Sequence, residues 1–243
     1  MDRIYEAKNI GVLFGSFNPP HKSHARLLQL AMNRYGLDQI YVIPLEQTYS
    51  KRAIPQAQPE DKLTMCKLAF GDIPNCEVLP PIVNTNKSPV SQQIHTLRTL
   101  LQVRKKHPES SFRVIAGEDY IKKHQRVKNL LKTIKRIADK APQSLTAIWN
   151  GCLKKSVKLP LDDLNFVADI GYAHFTREET QSISSTFIRD AIMCGQPLEP
   201  YLSCAVIEYI HGNELFTKTQ GNPQYDLKKM VGGDGLEPPT YSV

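Results

Sequence analysis

The sequence predicts an α/β fold of three layers, a parallel β-sheet with helices on both faces. Short apolar runs such as residues 12–14 and 39–45 do not alternate with polar residues, which is typical of parallel strands buried on both faces. Segments with helical spacing of apolar residues lie between these runs. Glycine directly follows the runs at 12–14 and 112–116 and breaks the pattern.

Residues 11–35 predict a strand, a tight turn and a helix. The apolar strand ends at Gly15, and residues 16–20 are polar, aromatic or proline. From His21 the spacing becomes helical. The predicted apolar face comprises Ala25, Leu28, Met32 and Tyr35. The N–H groups at the start of such a helix point toward the end of the strand, where they suit a phosphate.

Two histidines lie on the first turn of this helix. His21 and His24 are three positions apart, so their side chains face the same way. They either cap an ordinary helix as exposed polar residues or donate hydrogen bonds to a polyphosphate. The glycine turn directly before them favours the phosphate interpretation.

A second stretch, residues 183–192, predicts another helix start. Ser184, Ser185 and Thr186 are all N-cap residue types. Arg189 follows within about a turn, where the helix dipole disfavours a cation. A bound anion would remove that conflict, and arginine suits bidentate binding of phosphate oxygens. The alternative is a capped surface helix with a solvated arginine.

Together, GSFNPPHKSH and ISSTFIR resemble the HxGH-type and ISSTxxR-type motifs of a nucleotidyltransferase superfamily. Within it the sequence is most similar to the nicotinate or nicotinamide mononucleotide adenylyltransferases, over roughly residues 8–215. The resemblance implies a Rossmann-like sheet. It also implies an enzyme of NAD biosynthesis that joins ATP to a pyridine mononucleotide and releases pyrophosphate. Mg²⁺ would be bound mainly through the ATP phosphates.

The resemblance also implies roles for individual residues. His21 and His24 would donate to the α- and β-phosphates, and Arg189 would hold the β- and γ-phosphates. The other residues implied in ATP or phosphate binding are Gly15, Ser16, Phe17, Lys51 (or its neighbour Arg52), Gly117, Asp119, Ser185 and Thr186. No protein metal ligand is expected.

The sequence departs from the family pattern in several places. Ser23 stands where the first motif usually has glycine, and its side chain could crowd the nucleotide or donate a hydrogen bond. The tryptophan that the family often places shortly after Asp119 is absent. Two alternatives therefore stay open: a nucleotidyltransferase with a pantetheine-phosphate or cytidylyl acceptor, and a catalytically weak member that binds nucleotide or nucleic acid.

Further elements follow from periodicity along the chain. Strands are predicted at residues 39–45, 77–83, 112–116, 144–149 and 165–169, and helices at 59–70, 94–103, 125–140 and 203–210. Residues 1–216 are expected to form the nucleotidyltransferase domain. Residues 217–243 are expected to form a disordered tail, because they lose periodicity and end rich in glycine and proline.

Composition limits the class of protein. No apolar run is long enough for a membrane span, and residues 1–10 lack the apolar core of a secretory signal, so a cytoplasmic protein is expected. Five cysteines without a CxxC pattern predict neither a disulfide framework nor a zinc site.

The basic charge is concentrated in one segment. Residues 122–140 contain eight Lys or Arg and one acid, so their net charge of +7 equals that of the whole chain. This segment is either a solvated surface or a site for an anionic partner such as nucleic acid.

Overall fold

The protein was analysed as a computed structural model, which describes residues 7–45, 57–81, 99–117, 170–181 and 183–217. Within these residues, five strands form one sheet, in the order β3-β2-β1-β4-β5, and every neighbouring pair is parallel. The strands are β1 Asn9–Gly15, β2 Gln39–Pro44, β3 Cys76–Val78, β4 Ser111–Gly117 and β5 Gly171–Phe175.

Helices lie between and after the strands. They are α1 Lys22–Tyr35, α2 Pro59–Phe70, α3 at residues 99–106, α4 Arg177–Thr180, α5 Ser185–Met193 and α6 Cys204–Gly212. The predicted helix at 59–70 begins and ends at the predicted residues. Pro59 suits the first helical position because an N–H at that position has no partner within the helix, so proline loses no hydrogen bond there. None of the helices in the described residues is long and apolar enough to cross a membrane.

Both faces of the sheet are buried, as the absence of alternation predicted. In β1, Ile10, Val12 and Phe14 belong to a core that also contains Leu100 and Val103 of α3. Leu13 belongs to a second core, on the other face, with residues of α1 and α2. The predicted three-layer parallel fold is therefore confirmed.

Some predicted details differ from the structure. The most buried stripe of α1 comprises Leu27, Leu28 and Ala31, whereas Ala25, Met32 and Tyr35 are only partly buried at its margin. In α2, the apolar spacing predicts that Leu63, Cys66 and Phe70 face inward. Cys66 and Phe70 are buried, but Leu63 is only partly buried, and Lys62 and Met65 are buried as well. A third strand is present, but it ends at Val78. β5 and α4 were not predicted from the sequence.

Several predictions lie outside the described residues. They are the starting turn of the helix at 94–103, the helix at 125–140, the strands at 144–149 and 165–169, and the tail beyond residue 217. The final helix is confirmed, with Ser203 preceding it at the N-cap position.

Candidate nucleotide site

The candidate site lies at the carboxyl end of the central strand. β1 pairs with β2 on one side and with β4 on the other. The connection that follows β1 therefore leads toward one side of the sheet, and the connection that follows β4 leads toward the other. Such a switch point opens a crevice at the carboxyl ends of the strands, and ligands of open α/β sheets bind there. Gly15 ends β1 and Gly117 ends β4, so both predicted glycines lie at this edge.

The two histidines form a stacked pair at the start of α1. His21 is the N-cap residue and has extended backbone angles. Its ring centroid lies 3.7 Å from that of His24, with an angle of 26° between the planes. The His21 N–H donates to Nδ1 of His24 at 3.3 Å. The predicted common orientation of the two side chains is therefore present, and His24 also satisfies one of the unpaired N–H groups of the helix start.

His21 is buried and neutral near pH 7. Its side chain is 6% exposed, and burial lowers its pKa to about 4 because the charged imidazolium loses hydration. Among the residues that the structure describes, Nδ1 of His21 has no hydrogen-bond partner. An unpaired polar atom in a buried position is costly. A ligand oxygen or a bound water at the crevice would supply the missing partner.

The turn before the histidines is tightly built. Phe17 has a positive φ of 40°, an uncommon conformation for a non-glycine residue. Its ring is 1% exposed and packs edge-on against His24 at 5.0 Å between centroids. A Cβ at Gly15 would lie only 2.7 Å from this ring. Glycine is therefore required at the end of β1, since any side chain would displace the ring that supports His24.

The second motif starts α5 and faces the same turn. Ser184 is the N-cap, and its hydroxyl accepts from the N–H of Phe187 at 3.1 Å. The Ser185 hydroxyl donates to the carbonyl oxygen of Pro19 at 3.0 Å. The start of α5 is thus bonded directly to the first motif, although 166 positions separate the two residues.

Arg189 is buried, and the interpretation as a solvated arginine is wrong. Its side chain is 4% exposed. Nη1 donates to the carbonyl oxygen of Asn18 at 2.6 Å, and Nη2 donates to Oγ1 of Thr186 at 3.1 Å. The burial and the charge make Arg189 the cation at the meeting point of the two motifs. Its electrostatic field favours an anion in the adjoining crevice.

Two buried polar residues near the site were not singled out from the sequence. Asn18 is 2% exposed, and its Oδ1 accepts from the N–H of Ala57 at 2.9 Å. Lys62 is fully buried, and its Nζ donates to the carbonyl oxygen of Leu45 at 3.2 Å. Lys62 gave no sequence signal, because a lysine on a helix is usually solvated.

The structure brings most of the predicted residues together. The His24 ring contacts the rings of both Phe17 and His21. Ser185 and Arg189 donate hydrogen bonds to the turn that connects Gly15 to the histidines, and Arg189 donates to Thr186. Ser16 lies in that turn. Lys51 and Asp119 lie outside the described residues. Within the described part of the chain, no three His, Cys, Asp or Glu side chains form a group that could hold a metal ion.

Comparison with known proteins agrees with this site. The family model described as "Cytidylyltransferase-like" matches residues 12–191, which contain both motifs. The chain therefore belongs to the cytidylyltransferase-like family, and the predicted nucleotidyltransferase class is confirmed.

Curated relatives are similar over nearly their whole length. A Halalkalibacterium halodurans protein named "Probable nicotinate-nucleotide adenylyltransferase" is 29% identical over 227 residues, which cover 91% of this chain and 98% of the relative. A Flavobacterium johnsoniae protein with the same name is 28% identical, with 86% and 99% covered.

Solved structures share the fold. A Vibrio parahaemolyticus protein superimposes with a TM-score of 0.53 at 14% identity and covers 86% of this chain and 95% of its own. The Plasmodium falciparum nicotinic acid mononucleotide adenylyltransferase complexed with APC gives a TM-score of 0.50 at 16% identity, with 86% and 97% covered. These likenesses agree with the Rossmann-like nucleotidyltransferase fold expected from the sequence.

Proposed function

We propose that this protein is a cytoplasmic enzyme of NAD biosynthesis that transfers AMP from ATP to nicotinate mononucleotide and releases pyrophosphate. The observation that carries the proposal is the meeting of the starts of α1 and α5 at the turn that follows β1. The start of α1 presents His21 and His24, and the start of α5 presents Thr186 and Arg189 beside it. Relatives that align over nearly their whole length bear the nicotinate-nucleotide adenylyltransferase name.

The chemistry needs positioning and charge stabilisation. A phosphate oxygen of the mononucleotide attacks the α-phosphorus of ATP in line, a P–O bond forms, and the bond to pyrophosphate breaks. The attacking phosphate is already ionised near neutral pH, so neither a protein nucleophile nor a general base is required. Preorganised donors that meet the developing charge on the phosphoryl oxygens then lower the barrier.

The described residues fit these requirements. His21 is neutral because its pKa is about 4, so it offers one N–H as a donor without repelling Arg189. We assign His21 and His24 to the α- and β-phosphates, and Arg189 with Ser185 and Thr186 to the β- and γ-phosphates. The backbone from Gly15 to Phe17 would line the same phosphates. Lys51, Gly117 and Asp119 are proposed to complete the ATP site.

Magnesium fits this site as a companion of ATP. Among the described residues, the nearby donor set consists of imidazoles, hydroxyls and a guanidinium rather than clustered carboxylates. Mg²⁺ prefers oxygen ligands that include substrate phosphates. Bound through the triphosphate, it would offset part of the negative charge of the phosphates. His21, His24 and Arg189 would orient the phosphates around it.

The test is pyrophosphate release from ATP and MgCl₂ with a panel of acceptors. The panel holds nicotinate mononucleotide, nicotinamide mononucleotide and phosphopantetheine, and CTP replaces ATP in a parallel set. Release with ATP and nicotinate mononucleotide is expected to be fastest. Faster release with phosphopantetheine or with CTP would overturn the proposed substrates, and silence with every pair would overturn the reaction.

A further inference from the structure

Ser23 lies between the two histidines and bonds to the chain that leads into the second motif. It is 7% exposed at the second position of α1. Its Oγ donates to the carbonyl oxygen of Gln181 at 2.7 Å and accepts from the N–H of Ile183 at 3.2 Å. The single hydroxyl thus bonds to the chain on both sides of residue 182. We call this set of two hydrogen bonds the Ser23 bridge.

The Ser23 bridge lies where the chain changes direction. α4 ends at Thr180, and Gln181 has left-handed backbone angles with φ of 50°. Ile183 directly precedes Ser184, the N-cap of α5. A carbonyl and an N–H in such a turn have no helical partner. The Ser23 hydroxyl satisfies both groups, which a glycine at position 23 could not do.

Neighbouring residues of α1 hold the same segment. Arg26 donates from Nε to the carbonyl oxygen of Glu179 at 2.7 Å, and the Arg34 guanidinium forms an ion pair with the Glu179 carboxylate. These two contacts are on exposed side chains, where each contributes little on its own. The Ser23 bridge is more shielded, and its bond to Ile183 lies directly before the N-cap of α5.

We propose that Ser23 is a positioning residue that aligns the second motif with the histidine pair. This inference rests on the proposed function. Ser23 directs its hydroxyl to the second motif's entry segment rather than to the crevice, and it acts on ATP through Ser185 and Arg189. The serine that stands in place of the usual glycine therefore links the two halves of the phosphate site. Its side chain donates a hydrogen bond and does not crowd the nucleotide.

Three variants and a control test the proposal. Ser23→Ala removes the hydroxyl, Ser23→Gly restores the usual family residue, and Ser23→Thr retains a hydroxyl. Ser110→Ala is the matched control, because Ser110 also bonds to a backbone N–H, that of Lys8, at 3.1 Å. Ser110 directly precedes β4 and so lies at the amino edge of the sheet, away from the site.

The measurements are kcat and KM for ATP, ATP binding by calorimetry, and hydrogen exchange of the peptide covering residues 179–187. Ser23→Ala and Ser23→Gly remove both hydrogen bonds of the bridge and are expected to lower kcat/KM for ATP about tenfold, a change within the net effect of two such bonds. They should weaken ATP binding and speed exchange at the Ile183 amide. Ser23→Thr should stay near the wild type, and Ser110→Ala should change neither ATP kinetics nor this exchange.

The outcomes separate this proposal from the proposed function. If no mononucleotide supports turnover by the wild type, the proposed function fails, but ATP binding and exchange still test the Ser23 bridge. Unchanged exchange at Ile183 in Ser23→Ala would overturn the bridge itself. Faster exchange with unchanged ATP binding and kcat/KM would show a structural contact without a positioning role, which also overturns the proposal.

Discussion

Arg189 donates a 2.6 Å hydrogen bond to the carbonyl oxygen of Asn18, a residue 171 positions earlier in the chain. The bond joins the two most informative motifs of the sequence inside the protein, since Asn18 is 2% and Arg189 4% exposed. The arginine therefore has two tasks, because the cation that is proposed to hold phosphate also holds the turn that carries the histidines.

Substitution of Arg189 should separate these tasks. Arg189→Ala leaves the Asn18 carbonyl without this donor, so we expect the free energy of unfolding to fall by roughly 1–3 kcal/mol and ATP use to weaken. Arg189→Lys keeps the charge and a donor group. It should restore a larger share of the stability lost in Arg189→Ala than of the lost kcat/KM. Urea unfolding and ATP kinetics on both variants measure the two effects. Full activity in Arg189→Ala would contradict the assigned phosphate role.

Removal of His24 should slow turnover with a smaller effect on folding. His24→Ala is expected to reduce kcat about a hundredfold, the effect of losing one charge-stabilising donor of ~3 kcal/mol. His24→Asn is the matched variant. Its amide oxygen can still accept from the backbone N–H of His21, but it has no equivalent of Nε2 of His24. Both variants should therefore be slow, and His24→Asn should unfold nearer the wild type. A normal rate in either variant would rule out the catalytic role.

Burial of His21 should make stability depend on pH. Its pKa falls from 6.5 in the unfolded chain to about 4 in the folded protein, so the unfolded state binds a proton first as the pH decreases. The stability is complete above pH 6.5 and is lost between 6.5 and 4, by up to about 3 kcal/mol. Urea unfolding at pH 7.5 and 4.5 should show a larger loss for the wild type than for His21→Gln. Equal losses would mean that His21 is accessible to protons.

Gly15 should tolerate no side chain. Gly15→Ala places a Cβ 2.7 Å from the Phe17 ring, so the ring must move and its contact with His24 changes. We expect a loss of about 1–3 kcal/mol from overpacking, together with reduced turnover. Gly212→Ala is the control, since a Cβ there meets no atom within 4 Å. Thermal unfolding and ATP turnover on both variants compare them, and equal behaviour would contradict the tight turn.

Local features of the site were predictable because they depend on neighbours in sequence. The run of apolar residues before Gly15 predicts β1, and the spacing of His21 and His24 predicts their shared direction. The serines and threonine at 184–186 predict the start of α5. In each case short-range backbone geometry and hydrogen bonding decide the structure.

The β5 strand was missed for the opposite reason. Its sequence GYAHF is short and contains a glycine and a histidine, so it carries little hydrophobic pattern although Ala173 and Phe175 are buried. It is a strand because β4 offers an unpaired edge from Arg113 to Gly117. That edge exists only after β1 and β4 have paired.

By itself, the sequence determined the parallel sheet, the two helix starts and the family to which the chain belongs. Only the tertiary structure decided that Arg189 is buried against Asn18 and that Ser23 faces Gln181 and Ile183. The reason is that these contacts join residues 158 to 171 positions apart. Neither composition nor spacing records which long-range partner a polar side chain meets, because folding of the whole sheet selects it.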